Sequence, residues 1–502
     1  MIMLPGLSEP ALFAGSPPLH RRLLQLAAAL GAGLPLYWVL GPQPAGWLAW
    51  LAPLPVLLLA LRSARRDAAW MTLLAAVVGL SSNVAYFRLL MPLPAVLAVI
   101  AAKALLWLLV VPATRRLVLR YRAGWTVLAY PLLWVAIDTL MAAFLQDGNW
   151  GSLAYSQADY VPVLQVAALA GVPGLLFLLC LLPSALALLL AGGRAYAPAA
   201  AASLLLAVTA SAAGAWRVQD ARAPDGPLAG LVAIDDFIGP ATPPAQAQAV
   251  WDQYARHVAQ LAGQGARLVL LPEKIAVLAP AQAAAVQQRF QALARSTGVW
   301  LTLGVGVQDA AGRRNLAWLF APDGTAPVSY QKHHLAPPER DFLAGNAYAV
   351  LPVAGRAMGL AICKDMHFAA LGQAYGAAGA GVMLVPAWDF QRDAWMGARM
   401  TVVRGVENGY AVLRAAREGL LTVSDAHGRV LAERASSAMP GTTLLAPLPA
   451  SVPVAPWAGW LGPLFGWLCV ALGLPLLFMG RWRAGRDAAP HSAGGPAAPV
   501  SR

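Results

Sequence analysis

Three residues of this 502-residue chain have side chains that could work together on a carbonyl group. Cys363, in "GLAICKDMHF", is the only one of three cysteines outside the long apolar segments. Glu273 follows an apolar run in "LLPEKI", and Lys332 lies in "SYQKHHLAPPER". The chain contains four lysines, and Lys274, Lys332 and Lys364 all fall in these three islands. A free thiol titrates near about 8.5, so only a few percent is thiolate at neutral pH. A neighbouring carboxylate such as Glu273 can take the proton during attack on an ester carbonyl. The Lys332 ammonium, with the backbone N–H of Lys364, suits the oxyanion that forms. Cys363 would then carry a thioester, which an amine could open to leave an amide. Taken singly, a glutamate after a strand reads as a solvated loop residue and a strand-end cysteine as packing. The ordered set Glu, Lys, Cys is what points to nucleophilic chemistry.

These residues need elements that bring them together. Apolar runs at 228–234, 266–273, 299–307, 315–322, 358–363 and 381–388 read as strands. Helical patterns such as "AQAVWDQYARHVAQLAGQG" and "AQAAAVQQRFQALARSTG" lie between them. Alternating strands and helices predict a mixed or parallel sheet covered by helices, with functional residues where strands end.

The rest of the chain belongs to a different solvent. Hydrophobic residues make up 59% and charged residues 12%, against about 25% charged in an ordinary soluble domain. Mean hydropathy is +0.59. Segments near 23–40, 46–61, 69–87, 92–112, 124–143, 161–191, 197–216 and 456–480 are each apolar enough to be read as spans of a bilayer core of about 30 Å. The expected organisation is a transmembrane bundle at 1–216 with about seven spans and a catalytic domain at 217–455. A C-terminal span at 456–480 and a basic, disordered tail at 481–502 follow. The middle region holds 20 basic and 17 acidic residues, the remainder 16 and 6. The basic excess therefore lies in loops between spans, which argues against a nucleic-acid partner. Arg21, Arg22, Arg62, Arg65, Arg66, Arg115, Arg116, Arg120, Arg122, Arg194, Arg481, Arg483 and Arg486 mark alternate loops, and the positive-inside rule makes those loops cytoplasmic. The middle region is then extracytoplasmic, and the first span is expected to stay as an anchor with no cleavage site. Three cysteines give no disulfide framework. His333 and His334 are adjacent and suit no helical metal site.

The order Glu273, Lys332, Cys363 resembles the triad of the nitrilase, or carbon–nitrogen hydrolase, superfamily, and "ICKDMHF" is similar to its I-C-x-D-x-x-F pattern. "GWLAWLAPLPVLLLALR", "PLLWVAIDTLMAAFLQDGNWGSLAYSQ" and "VRGVENGYAVLRAAREGLLTVSDAHGRVL" resemble the apolipoprotein N-acyltransferase family over nearly the whole chain. The resemblance implies a helical membrane bundle of about eight spans carrying an αββα sandwich on the periplasmic side of a bacterial inner membrane. It implies a phospholipid acyl donor, an apolipoprotein acceptor acylated at the amine of its diacylglyceryl-cysteine, and neither cofactor nor metal. Glu339 in "LAPPER" matches the family's second glutamate, which orients the lysine. Trp251 matches an aromatic at the acyl pocket, with helix-face packing the competing reading. Trp388 and Asp389 fall in a loop that lines the site. Lys364 and Asp365 support the site and stand where the family has tyrosine and glutamate. Tyr155 and Gln157 lie in an outer loop that could face the catalytic domain, and Lys103 inside a span could snorkel or pair with Asp138. Two other readings stay open: a membrane-anchored carbon–nitrogen hydrolase or acyltransferase with another amine acceptor, and an inactive binding protein.

Overall fold

A computed structural model describes residues 16–219, 226–450 and 458–479. The tail expected at 481–502 lies outside the described residues. The N-terminal region is helical: α1 (Pro18–Leu40), α2 (Leu54–Leu61), α3 (Arg65–Leu80), α4 (Val84–Leu90), α5 (Leu93–Tyr121), α6 (Ala129–Phe144), α7 (Val161–Leu164), α8 (Ala167–Gly192) and α9 (Ala197–Arg217). These helices carry apolar residues around much of their circumference, as lipid-facing and bundle-facing sides both require. Leu23, Leu30, Leu34 and Trp38 of α1 are exposed, whereas Ala29, Ala32 and Leu36 are buried against the bundle.

Among the described residues six helical stretches are long and apolar enough to cross a membrane: 18–40, 65–90, 93–121, 124–144, 167–217 and 459–478. The 51-residue stretch bends at Gly193, whose φ of +74° suits glycine, so it accounts for two expected spans. The expected span at 46–61 differs. Its α-helix has eight residues, a rise of about 12 Å, so the count of eight spans is not reached by helix length. Prolines Pro53 and Pro55, together with Pro42 and Pro44, explain the short helix, because each removes a backbone donor. Basic side chains gather at one end of the bundle. Arg115 Nη2 donates to the Ser63 carbonyl at 2.8 Å, Arg62 Nη2 to the Leu190 carbonyl at 2.5 Å, and Arg22 pairs with Asp67 at 3.0 Å.

The second region builds two sheets. The first comprises β1 (Leu228–Ala233), β2 (Ala266–Leu270), β3 (Val277–Leu278), β4 (Trp300–Asp309), β5 (Gly312–Phe320), β6 (Val328–Gln331) and β7 (Phe342–Leu343). The second comprises β8 (Ala349–Val353), β9 (Arg356–Leu360), β10 (Val382–Trp388), β11 (Ala411–Arg417), β12 (Leu420–Ser424) and β13 (Val430–Ala435). Strand β14 (Thr442–Pro447) returns to the first sheet and pairs antiparallel with β1. The orders are β14-β1-β2-β4-β5-β6 and β13-β12-β11-β10-β9-β8. Parallel pairs β1–β2, β2–β4, β9–β10 and β10–β11 form the centre of each sheet. Of these, β1 and β10 read as unbroken apolar runs because both faces are covered, whereas β2, β9 and β11 carry arginines.

Helices α10 (Pro244–Gly263) and α11 (Pro280–Thr297) cover the first sheet, and α12 (Ala369–Ala377) and α13 (Ala394–Asn408) the second. Pro244 and Pro280 occupy helix starts, where a missing N–H has no cost. The facing sheets share a core of residues such as Leu231, Leu270, Leu360 and Leu384. This is the αββα sandwich expected from the sequence. The last helix, α14 (Ala458–Phe478), packs back on α6 and α8.

Candidate active site

Glu273, Lys332 and Cys363 follow β2, β6 and β9 and converge on one cavity of about 620 Å³. Two come from the first sheet and one from the second. The backbone ties the sheets at this point, since Glu273 N donates to the Ala387 carbonyl of β10 at 3.2 Å. Gly304 on the neighbouring strand makes room: a Cβ there would lie 2.4 Å from the Pro272 carbonyl oxygen and 2.6 Å from Glu273 Cα.

Cys363 begins a short 3₁₀ turn with φ of +43°, in the left-handed region that a non-glycine residue occupies only under local constraint. The turn is held by Asp365, which is fully buried and accepts hydrogen bonds from Ile362 N at 3.0 Å, His333 N at 3.1 Å, His334 N at 2.8 Å and the Tyr330 hydroxyl at 2.8 Å. Asp365 therefore joins the cysteine turn to the chain just after Lys332. Cys363 Sγ lies 3.5 Å from the Trp388 carbonyl oxygen.

Four charged groups form a buried lattice beside the thiol. Lys332 Nζ lies 2.7 Å from Glu273 Oε1 and 2.7 Å from Glu339 Oε2, while Lys274 Nζ lies 2.6 Å from Glu339 Oε1. Asn315 Nδ2 donates to Glu273 Oε1 at 2.5 Å and to Glu339 Oε1 at 2.7 Å. Glu339 thus bridges Lys332 and Lys274 through its two carboxylate oxygens. The second oxygen of Glu273, Oε2, is buried without a hydrogen-bond partner among the described residues. A buried carboxylate oxygen left open beside a thiol has the capacity to accept its proton.

Burial, reinforced by the Glu273 carboxylate, pushes the Cys363 thiol above its ordinary range, with Lys332 opposing. The resting sulfur is therefore a thiol that must lose its proton as it attacks. Burial works against the charge on Lys332, yet the carboxylates of Glu273 and Glu339 outweigh it and hold the group as an ammonium. Burial also works against the charge on Glu339, and Lys332 and Lys274 together hold that carboxyl well below the usual range.

The supporting residues divide. Lys364 lines the cavity, its ammonium 2.6 Å from Asp147 Oδ1 and 2.9 Å from the Leu335 carbonyl oxygen. Trp388 also lines the cavity, and its indole stacks on Phe237 and Phe390 with the Arg417 guanidinium 3.6 Å from its ring centre. Asp389 reaches the cavity wall but is held by Arg414 at 2.5 and 2.8 Å. Trp251 is not brought to the site. It packs in the core under α10, 5.6 Å ring to ring from Phe290, because its helical spacing points it at the sheet. The helix-face reading of Trp251 is the correct one. Tyr155 does reach the catalytic region, accepting from Arg404 Nη2 at 3.1 Å, whereas Gln157 donates to the Gly46 carbonyl at 2.8 Å within the helical bundle. Lys103 and Asp138 do not form an ion pair: Lys103 Nζ donates to the Trp150 carbonyl at 3.2 Å, and Asp138 accepts from Asn149.

Sequence reasoning missed Asn315 and the helical wall of the cavity. Asn315 had a signal, a lone amide inside the apolar run "NLAWLF". The wall comes from Leu90, Met91, Val99, Ala102, Leu106 and Met141, on α4, α5 and α6 and the residue after α4. A larger cavity of about 670 Å³ contains none of Glu273, Lys332 and Cys363 and is separated by Leu145 and Gln146, which line both.

Two family profiles match separate parts of the chain. The family profile described as carbon-nitrogen hydrolase matches residues 237–448, and that described as apolipoprotein N-acyltransferase N-terminal domain matches residues 32–186. The chain is 27% identical over 344 residues to a Geobacter metallireducens protein named apolipoprotein N-acyltransferase, covering 60% of this chain and 65% of that protein. A protein of the same name from Gloeobacter violaceus is 27% identical, covering 93% of this chain and 96% of its own. A crystal structure of an amidase from Nesterenkonia sp. aligns with 22% identity and a TM-score of 0.39 over 48% of this chain and 95% of the amidase.

Proposed function

The chain belongs to the apolipoprotein N-acyltransferase family of the carbon–nitrogen hydrolase superfamily, and on that premise we propose that it moves an acyl chain from a membrane phospholipid to the N-terminal amine of a diacylglyceryl-cysteine lipoprotein. The observation that carries this reading is the cavity in which Cys363, Glu273 and Lys332 face an apolar wall supplied by membrane helices. A soluble amide needs no such wall. An acyl chain does.

In the first half-reaction Cys363 Sγ attacks the ester carbonyl while Glu273 takes the thiol proton. The Lys332 ammonium stabilises the oxyanion. The carbon–oxygen bond breaks, Glu273 returns the proton to the leaving lysophospholipid oxygen, and the acyl group stays on sulfur as a thioester. In the second half the lipoprotein amine attacks that thioester. Glu273 accepts a proton from the amine and delivers it to the departing thiol, leaving an amide. Glu339 and Asn315 hold Glu273 and Lys332 in place throughout.

This reading divides the chain into a multi-pass bundle at 1–216, a catalytic domain at 217–455, a span at 456–480 and a cytoplasmic tail at 481–502. The gathering of Arg22, Arg62 and Arg115 at one end of the bundle supports placing that end in the cytoplasm and the catalytic domain outside the bacterial inner membrane.

The test is intact-mass spectrometry of the detergent-solubilised protein after incubation with phosphatidylethanolamine, with Cys363→Ala and Cys363→Ser as controls. A hydroxylamine-labile acyl adduct that discharges onto a diacylated cysteine lipopeptide is the expected result. An adduct indifferent to the lipopeptide would shift the assignment to another amine acceptor. No adduct, together with hydrolysis of a small amide, would replace acyl transfer with hydrolysis.

A further inference from the structure

All four lysines of the chain, Lys103, Lys274, Lys332 and Lys364, line the cavity that contains Cys363. Three of them sit within 2.7 Å of a carboxylate oxygen: Lys274 on Glu339, Lys332 on Glu273 and Glu339, and Lys364 on Asp147. Lys103 is the exception. It projects from α5, one of the stretches long enough to span a bilayer. Among the described residues its ammonium has no carboxylate oxygen within 4.0 Å. Its direct contacts are the Trp150 carbonyl at 3.2 Å and the rings of Phe87 and Trp150, with centres at 5.9 and 5.7 Å, while the Asp138 and Asp147 carboxylates act on it only from beyond contact distance. Its neighbours on the same wall, Val99, Ala102 and Leu106, are apolar.

A lysine ammonium at this place in a membrane helix is costly unless an anion or water meets it, and such residues default to function. One carbonyl oxygen satisfies one of its three donors. The remaining capacity faces a space shared with a nucleophile and touches no carboxylate among the described residues, so an anion entering with a ligand could meet it directly. We propose that Lys103 is the headgroup-binding residue of this cavity, holding the phosphate of the acyl donor while an ester carbonyl of the same molecule lies at Cys363. The proposal rests on the acyl-transfer reading above. A lysine binds phosphate as a compact point charge, and here it would select donors that carry a phosphodiester over neutral esters of equal chain length.

The test compares wild type with Lys103→Met, Lys103→Gln and Lys103→Arg. The initial rate of adduct formation on Cys363 is measured by intact mass with phosphatidylglycerol and with para-nitrophenyl palmitate, a phosphate-free ester. The readout is the ratio of the two rates. Loss of a charge-assisted contact predicts that the ratio falls about 10- to 100-fold for the Met and Gln variants and stays within about threefold for Arg. An unchanged ratio, whether both rates hold or both fall, overturns the proposal. Inhibition by inorganic phosphate that needs Lys103, with an unchanged donor ratio, would overturn the lipid assignment in favour of a free anion. A parallel arm uses native mass spectrometry of Cys363→Ala and Cys363→Ala/Lys103→Met to compare retained phosphatidylglycerol with retained diacylglycerol. Lys103-dependent retention without any adduct in the wild type would leave the headgroup site standing and remove the donor role. Retention independent of Lys103 would remove the site.

Discussion

At the scale of single residues the site is a thiol held above its ordinary pKa beside a carboxylate with one open oxygen. The direction of that shift sets a pH signature. A free cysteine is only half thiolate near about pH 8.5, so its alkylation rate levels off above about pH 10. Cys363 should show no such levelling and keep gaining reactivity towards iodoacetamide beyond about pH 10 when labelling is followed by intact mass, because burial and Glu273 favour its neutral form. A plateau below about pH 8 would mean a preformed thiolate and would remove the need for Glu273 as base. Glu339 gives a second expectation. Replacing it with glutamine leaves Lys274 and Lys332 with one fewer negative charge between them. Cys363 acylation should fall about 10- to 100-fold, the usual effect of a lost hydrogen bond to a buried charge. Glu339→Asp, which keeps the charge, should lose less. The sign for stability is also fixed. The Glu339 carboxyl is held low when folded, so its contribution is present above the ordinary carboxylate range and is lost only as pH falls through that depressed value.

At the scale of elements, the islands of Glu273 and Cys363 were legible because each ends an apolar run long enough to be a buried strand. Lys332 follows β6, which was not foreseen: "VSYQ" is four residues with two exposed, too short and too polar to announce itself. Glu339 was legible only through the resemblance of "LAPPER" to the family's loop. Asn315 was not, because its partners lie 42 and 24 residues away. Trp251 misled because an aromatic on an amphipathic helix has the same spacing whether it faces a sheet or a substrate. Span 46–61 was apolar enough to be counted, but its prolines shorten the helix, which hydropathy alone does not register. The crossing of β4 beneath Glu273 gives an element-scale expectation. Gly304→Ala forces a methyl into the Pro272–Glu273 backbone. It should lower acylation by up to about 100-fold through misplacement of the base. The thermal transition measured alongside should persist, because the site and not the sheet core takes the displacement.

At the scale of the whole molecule, the catalytic sandwich is fastened to the bundle by charge and hydrogen bonding. Arg399 Nε meets Asp159 at 2.5 Å, Trp395 Nε1 donates to the same carboxylate at 2.9 Å, and Glu407 Oε1 accepts from Val172 N at 2.8 Å. The fastening nearest the chemistry is Lys364 with Asp147, which joins the residue after the nucleophile to the loop leaving α6. These two residues are 217 apart in sequence, and nothing local in either announces the other. Asp147→Ala should lower the unfolding temperature in detergent by an amount equivalent to about 1–3 kcal/mol, since it strands a largely buried ammonium. Adding Lys364→Met should recover part of that loss, because the uncompensated charge is then gone. A loss in the double variant equal to the sum of those in Asp147→Ala and Lys364→Met measured singly would show that the contact is not energetically coupled.

The assembly of the triad from two sheets has a further consequence. Glu273 and Lys332 belong to one layer and Cys363 to the other, and they meet only when the layers close on each other. A chain emerging into the membrane with half its sandwich formed would have a thiol with no base, or a base with no thiol. Neither half could carry out the acyl transfer proposed above. Reactivity is therefore a property of the closed pair of layers and of neither layer alone.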